Sequence, residues 1–135
     1  MNVKTDTKEK FHVIRVEEPL LTAVMTDELA SHLHPYLQND VPGSIRNLVL
    51  DMAGVERMDP DAAGKLVELQ QQFYENGASF VICSLQKPVE DFLDEQELLE
   101  LMNVTPTESE AWDIVQMEEM EREMFGDEEG PDAAQ

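Results

Sequence analysis

The chain has 135 residues, enough for one domain that buries a core without disulfides or a structural metal. Its 41% apolar content sets it apart from disordered chains, while a formal charge of −21 disfavours nucleic acid and anionic lipid, both of which call for Lys and Arg. The charge is uneven: from Glu90 to the end, seventeen acids stand against one base, Arg122, a balance compatible with a basic protein partner and equally with plain solubility.

Cys83 is the only cysteine, so neither an internal disulfide nor a cysteine-based zinc site is available. It lies inside an apolar run and reads as a buried small hydrophobe. No apolar stretch reaches the ~18 residues of a membrane span, and the N-terminus has no signal-peptide core. The expectation is a cytoplasmic, soluble protein without direct membrane insertion.

In chain order, Asn2 to Lys10 is polar, with an edge strand around Val3. Phe11-His12-Val13-Ile14-Arg15-Val16 is rich in β-branched residues and reads as a strand. After Pro19, Leu20 to Val24 fits a short strand or a packed connection. Thr26, followed by Asp27 and Glu28, signals a helix start, and Leu29, Leu33, Tyr36 and Leu37 follow at helical spacing. Pro35 should kink or shorten that helix, and Asp40 to Ser44 is a turn. Ile45 to Leu50 is the most strand-like run, and its continuous apolar Leu48-Val49-Leu50 suits a central strand buried on both faces.

Asp59 can cap the next helix, with Pro60 at its first position. Ala62, Leu66, Leu69 and Phe73 form its apolar stripe, and Asn76-Gly77 its stop. Ser79 to Cys83 is a further strand, completing a βαβ unit. Pro88 opens a helical piece, Glu97 to Val104 a separate turn before a very short strand, and Thr107 to Glu110 has capping-box spacing. The last helix carries Met117, Met120 and Met124, a stripe that could hold a partner but more ordinarily packs on its own domain. Residues 1–125 thus form one domain, and 126–135 an acidic, disordered tail.

The run Leu48-Val49-Leu50-Asp51-Met52-Ala53-Gly54-Val55, then Met58-Asp59-Pro60-Asp61-Ala62-Ala63-Gly64, then Asn76-Gly77-Ala78, resembles the STAS domain of sulphate transporters and anti-sigma factor antagonists. The resemblance runs from about Phe11 to Met124. It implies an α/β fold, a mixed and mainly parallel sheet of about four or five strands packed with about four helices. The family's helix opens with Asp-Ser-Ser-Gly or Asp-Ser-Thr-Gly, and in the antagonist branch a partner kinase phosphorylates the second hydroxyl. Here Pro60 and Asp61 fill the two hydroxyl positions, so phosphorylation there is chemically barred. The family's Gly-Glu-Leu-Asp pattern is replaced by Glu18-Pro19-Leu20-Leu21.

Three readings of the acids compete. Asp59 can cap the helix while Asp61 favours its positive end and pairs with Lys65. Asp61 can instead be a fixed charge of about −1 where relatives carry phosphate at about −1.5 to −2. Or Asp51, Asp59 and Asp61 can form a metal or phosphoryl site. His12, His32 and His34 show no convincing metal spacing, and no phosphate-cradling glycine loop is present. The favoured reading is a non-enzymatic, monomeric protein-binding regulator needing no cofactor or metal. It docks through Gly54, Arg57, Met58, Asp59, Pro60, Asp61, Ala62 and Lys65, with Asp61 at the phosphosite-equivalent position. The resemblance implies a serine-kinase-type anti-sigma factor as partner. A subunit of an ABC-type lipid-transport assembly is the alternative binding role.

Overall fold

The computed structural model describes residues 1–38 and 44–133, with side chains through Met124. Among the described residues, seven strands and four helices follow in the order β1 (Val3–Thr7), β2 (Phe11–Val16), β3 (Leu20–Leu21), α1 (Ala23–Leu37), β4 (Asn47–Asp51), β5 (Arg57–Met58), α2 (Pro60–Glu75), β6 (Phe80–Cys83), α3 (Lys87–Glu95), β7 (Val104–Thr105) and α4 (Glu108–Ala133). A single 3-10 turn, Leu99–Leu101, links α3 to β7. The main sheet runs β1-β2-β4-β6-β7, with β1 antiparallel to β2 and every other pairing parallel. This is the mixed, mainly parallel α/β sheet that the resemblance implied.

Every residue of β4 and β6 is buried, as expected of central strands covered on both faces. Their alternation divides the core in two. Ile14, Val16, Leu48, Leu50, Phe80 and Ile82 point to the side covered by α1, α2 and α3. Phe11, Val13, Val49, Val81 and Cys83 point to the side covered by Ala111 and Val115 of α4. Ala62, Leu66, Leu69 and Phe73 are all buried, so the apolar stripe read for α2 is its core-facing side.

Of three local expectations, the start of α1 and the packing of the α4 methionines are corrected, while the shortening of α1 at Pro35 is observed. α1 begins at Ala23, because Thr22 rather than Thr26 is the cap: its Oγ1 accepts the Met25 N–H at 3.2 Å. Thr26 is buried one turn in and donates its hydroxyl to the Thr22 carbonyl at 2.8 Å. Pro35 lies in the last turn, where α1 ends two residues later at Leu37. The third concerns the methionines of α4, which are 54% (Met117), 63% (Met120) and 57% (Met124) exposed instead of packed on the body.

Half of the capping box is present: Thr107 Oγ1 accepts the Glu110 N–H at 3.2 Å, while the Glu110 carboxylate takes the Thr107 hydroxyl, at 3.2 Å, in place of its backbone N–H. α4 continues past Gly126, where the sequence placed the domain's end. The expected turn at Asp40–Ser44 falls largely outside the described residues, and the expected disorder of 126–135 falls on side chains outside them.

Candidate functional site

The site is built from the carboxyl end of β4 outward. Asp51 closes that strand with its side chain only 8% exposed. Its Oδ2 takes the Arg15 Nε at 3.2 Å, and its Oδ1 takes the Ala53 N–H at 2.9 Å. The parallel register sets Arg15 beside Asp51, and the carboxylate's hydrogen bond and charge raise the guanidinium's pKa.

The loop that follows is held at both sides. Val55 N–H returns to the Met52 carbonyl at 3.0 Å, and Gln86 Nε2 donates to the Ala53 carbonyl at 2.7 Å. At Gly54 a Cβ would lie 3.0 Å from the Val16 carbonyl oxygen, a backbone atom that cannot step aside. The glycine is there for that close approach.

Past the loop, β5 lies parallel to β3, pairing Leu20 with Arg57 and Leu21 with Met58. Glu56 and Arg57 N–H share the Pro19 carbonyl at 2.7 and 2.9 Å, and Asp59 N–H reaches the Leu21 carbonyl at 3.0 Å. This two-stranded sheet sets the first turns of α1 and α2 side by side. Sequence reading offered Leu20 to Val24 as a short strand or a packed connection but missed its partner Arg57–Met58, since two residues carry no period.

At the mouth of α2, Asp59 occupies the cap position with extended backbone, yet its side chain makes no capping bond. The Ala63 N–H goes to the Asp59 carbonyl instead, at 3.1 Å. Asp61 is exposed in the first turn and has no hydrogen-bond or ion-pair partner among the described residues. Its expected partner, Lys65, goes to Asp27 of α1 at 2.8 Å. Asp27, and less strongly Glu68 and Asp61, raise the ammonium's pKa.

Gly54, Arg57, Pro60 and Asp61 are therefore exposed, and Asp59 and Lys65 half-buried. Met58 and Ala62 face the core and hold the surface in shape without presenting a side chain to it.

Asp51, Asp59 and Asp61 do not converge. Among the described residues no three His, Cys, Asp or Glu side chains gather as metal ligands. Cys83 is fully buried, and that burial pushes its thiol up to about 11, far from a reactive thiolate. The histidines lie elsewhere: His12 bonds Thr7 Oγ1 and the Ile45 carbonyl and stacks on Tyr36 at 4.2 Å, while His32 meets Tyr36 edge-on. Arg15, Asp27 and Gln86 shape the site without having been signalled by local sequence, because each acts across the fold. No helix among the described residues is long and apolar enough to cross a membrane.

The STAS domain family model matches residues 2–111. The chain belongs to the STAS domain family. This STAS domain is similar to an anti-sigma-factor antagonist (STAS) domain protein from Planctomyces limnophilus, with 20% identity and a TM-score of 0.64 over 81% of this chain and 93% of that one. It is similar also to Moorella thermoacetica RsbS carrying a serine-to-glutamate substitution, with 20% identity and a TM-score of 0.69 over 86% of this chain and 96% of that one. The murine Slc26a9 anion transporter in its inward-facing state matches 83% of this chain within 18% of its own length, at 17% identity and a TM-score of 0.64. At these identities the likeness speaks to the fold.

Proposed function

We propose that this STAS domain is a non-enzymatic regulator of the anti-sigma factor antagonist kind, binding a serine-kinase-type anti-sigma factor and so acting indirectly on transcription. The observation that carries the reading is Asp61, an exposed carboxylate in the first turn of α2 with no hydrogen-bond or ion-pair partner among the described residues, which the motif resemblance aligns with the family's phosphorylatable hydroxyl. Two structural uses of the acids are absent, since Asp59 makes no capping bond and Lys65 is held by Asp27, which leaves Asp61 only its favourable place at the positive end of α2. A carboxylate with neither partner is available to another molecule, and one fixed charge at a docking surface sets both affinity and partner choice. Anti-sigma factor antagonists among the similar structures support the same reading.

The surface comprises Asp61 with Pro60, Arg57 and Gly54, backed by Asp59 and the Lys65–Asp27 bridge. Because residue 61 bears no hydroxyl, its charge is constant, and binding here does not await a kinase. Calorimetry against the serine-kinase-type anti-sigma factors encoded in the same genome tests this. Asp61→Ser and Asp61→Ala should change the affinity at least about fivefold, ~1 kcal/mol, with circular dichroism unchanged. Equal affinity of both variants with the wild type refutes the assignment.

A further inference from the structure

Between Met117 and Met124, α4 has its apolar and polar sides reversed relative to a helix packed on a domain. Ala111 and Val115 seat the first half in the core. Beyond them the body-facing residues are polar: Glu118 accepts from Tyr74 Oη at 2.8 Å, Glu119 accepts from Asn47 and pairs with Lys10, and Arg122 Nη2 donates to Asn47 Oδ1 at 3.1 Å. At about 100° per residue, Met117, Met120 and Met124 fall on the far side of the helix, in the i, i+3, i+7 spacing of one continuous stripe.

Exposed Glu121 and Glu123 border the stripe on its two sides, with no ion-pair partner among the described residues. A cleft of about 160 Å³ lies along one border, lined by Lys10, Gln116, Glu119, Met120 and Glu123. The one base from Glu90 to the end of the chain, Arg122, is turned inward to Asn47, so it does not offset the outer acids.

We propose that this outer face of α4 docks a cationic amphipathic helix of another protein. The apolar side of that helix would lie on the three methionines and its Lys or Arg residues against Glu121 and Glu123. Three exposed methionines form an apolar strip that water solvates poorly, and their unbranched side chains adapt to a partner's shape. Helix-on-helix docking uses anchors at this spacing. The sign of the border selects the occupant. A second copy of this chain would bring Glu121 and Glu123 against like charges on a molecule of net charge −21, whereas a basic helix is attracted. The face is on the opposite side of the sheet from α2, so it is independent of the surface around Asp61.

The probe is a helical peptide of Leu and Lys with one apolar and one cationic side, titrated calorimetrically into the full chain at physiological ionic strength. A scrambled peptide of identical composition is the reference. The combined variant Met117→Gln, Met120→Gln, Met124→Gln should bind the peptide at least about tenfold more weakly. Glu121→Gln with Glu123→Gln should weaken binding several-fold and flatten its salt dependence. Val24→Gln, which removes an equally exposed apolar side chain far from α4, should leave it unchanged. Equal binding by the methionine variant, or by the scrambled peptide, would mean adsorption by charge alone and overturns the proposal. So does a wild-type dimer in sedimentation that dissociates in the methionine variant, since the occupant would then be a second copy.

Discussion

Lys65 stands four residues after Asp61 on one helix, yet its ammonium goes to Asp27 on the neighbouring one. The parallel pairing of β3 with β5 brings the first turns of α1 and α2 together, and that proximity decides the contest between two carboxylates. What is left over is a charge facing solvent. At Cys83 the opposite holds, a group with chemistry but no access. Burial, followed by the carboxylates of Asp51 and Glu108, pushes its thiol from 9.0 up to about 11, against the lowering bond from Ser84. Below pH 9.0 the thiol is protonated whether the chain is folded or not. Between 9.0 and about 11 the unfolded chain releases the proton that the native chain keeps, so stability falls as pH rises through that window. Tyr74, raised by burial and then by Glu118, adds a second decline above 10.0. Urea unfolding midpoints measured from pH 8 upward should therefore decrease past pH 9, and Cys83→Ala should flatten the first part of the decline. A midpoint insensitive to pH in the wild type contradicts this account.

At the scale of elements, α2 contains one glycine and is stopped by another, and the two should respond oppositely to alanine. Gly77 sits just past the helix at φ +73, where a side chain strains the backbone even though the space around it is open. Gly77→Ala should cost about 1 kcal/mol of stability. Gly64 is inside the helix, and a Cβ there meets nothing within 4 Å. Gly64→Ala should stabilise the fold by about 0.5–1 kcal/mol in chemical denaturation. If the surface around Asp61 receives a partner, the same variant should also bind that partner less tightly, because its bare backbone lies one turn along from Asp61. The elements that the sequence announced are those whose signal is local. β4 is built on the apolar run Leu48-Val49-Leu50, α2 has a stripe with Pro at one end and Gly at the other, and β6 lies one turn beyond. β5 was illegible, because Arg57–Met58 are a strand only by virtue of Leu20–Leu21, far away in the chain. Two threonines four apart could each have begun α1, and strand β3 just before Thr22 decides between them. Of the site, Asp59 and Asp61 were readable from their place in the motif, while the Arg15–Asp51 and Lys65–Asp27 pairs required the fold. Periodicity likewise revealed the methionine stripe of α4 but not its direction, which depends on Tyr74 and Asn47 drawing Glu118, Glu119 and Arg122 inward.

For the molecule as a whole, a net charge of −21 on 135 residues makes self-repulsion a standing cost of compactness. The ion pairs that could offset it are mostly exposed, as between Lys4 and Glu17 or Lys87 and Asp91, and such pairs contribute little. Screening should thus help more than it harms. Raising the ionic strength from ~0.01 to ~0.15 M, which shortens the Debye length from about 30 to about 8 Å, should raise Tm in scanning calorimetry. A Tm that falls would mean that attractive pairs dominate. The sheet's two margins bear on a different hazard. On one side β1 shows solvent Lys4, Asp6 and their bridged neighbours, and on the other β7 has just two residues. A strand from another molecule seeking to extend the sheet meets fixed charge at one margin and almost no backbone to pair with at the other. The architecture thereby resists growth into fibrils through its strands.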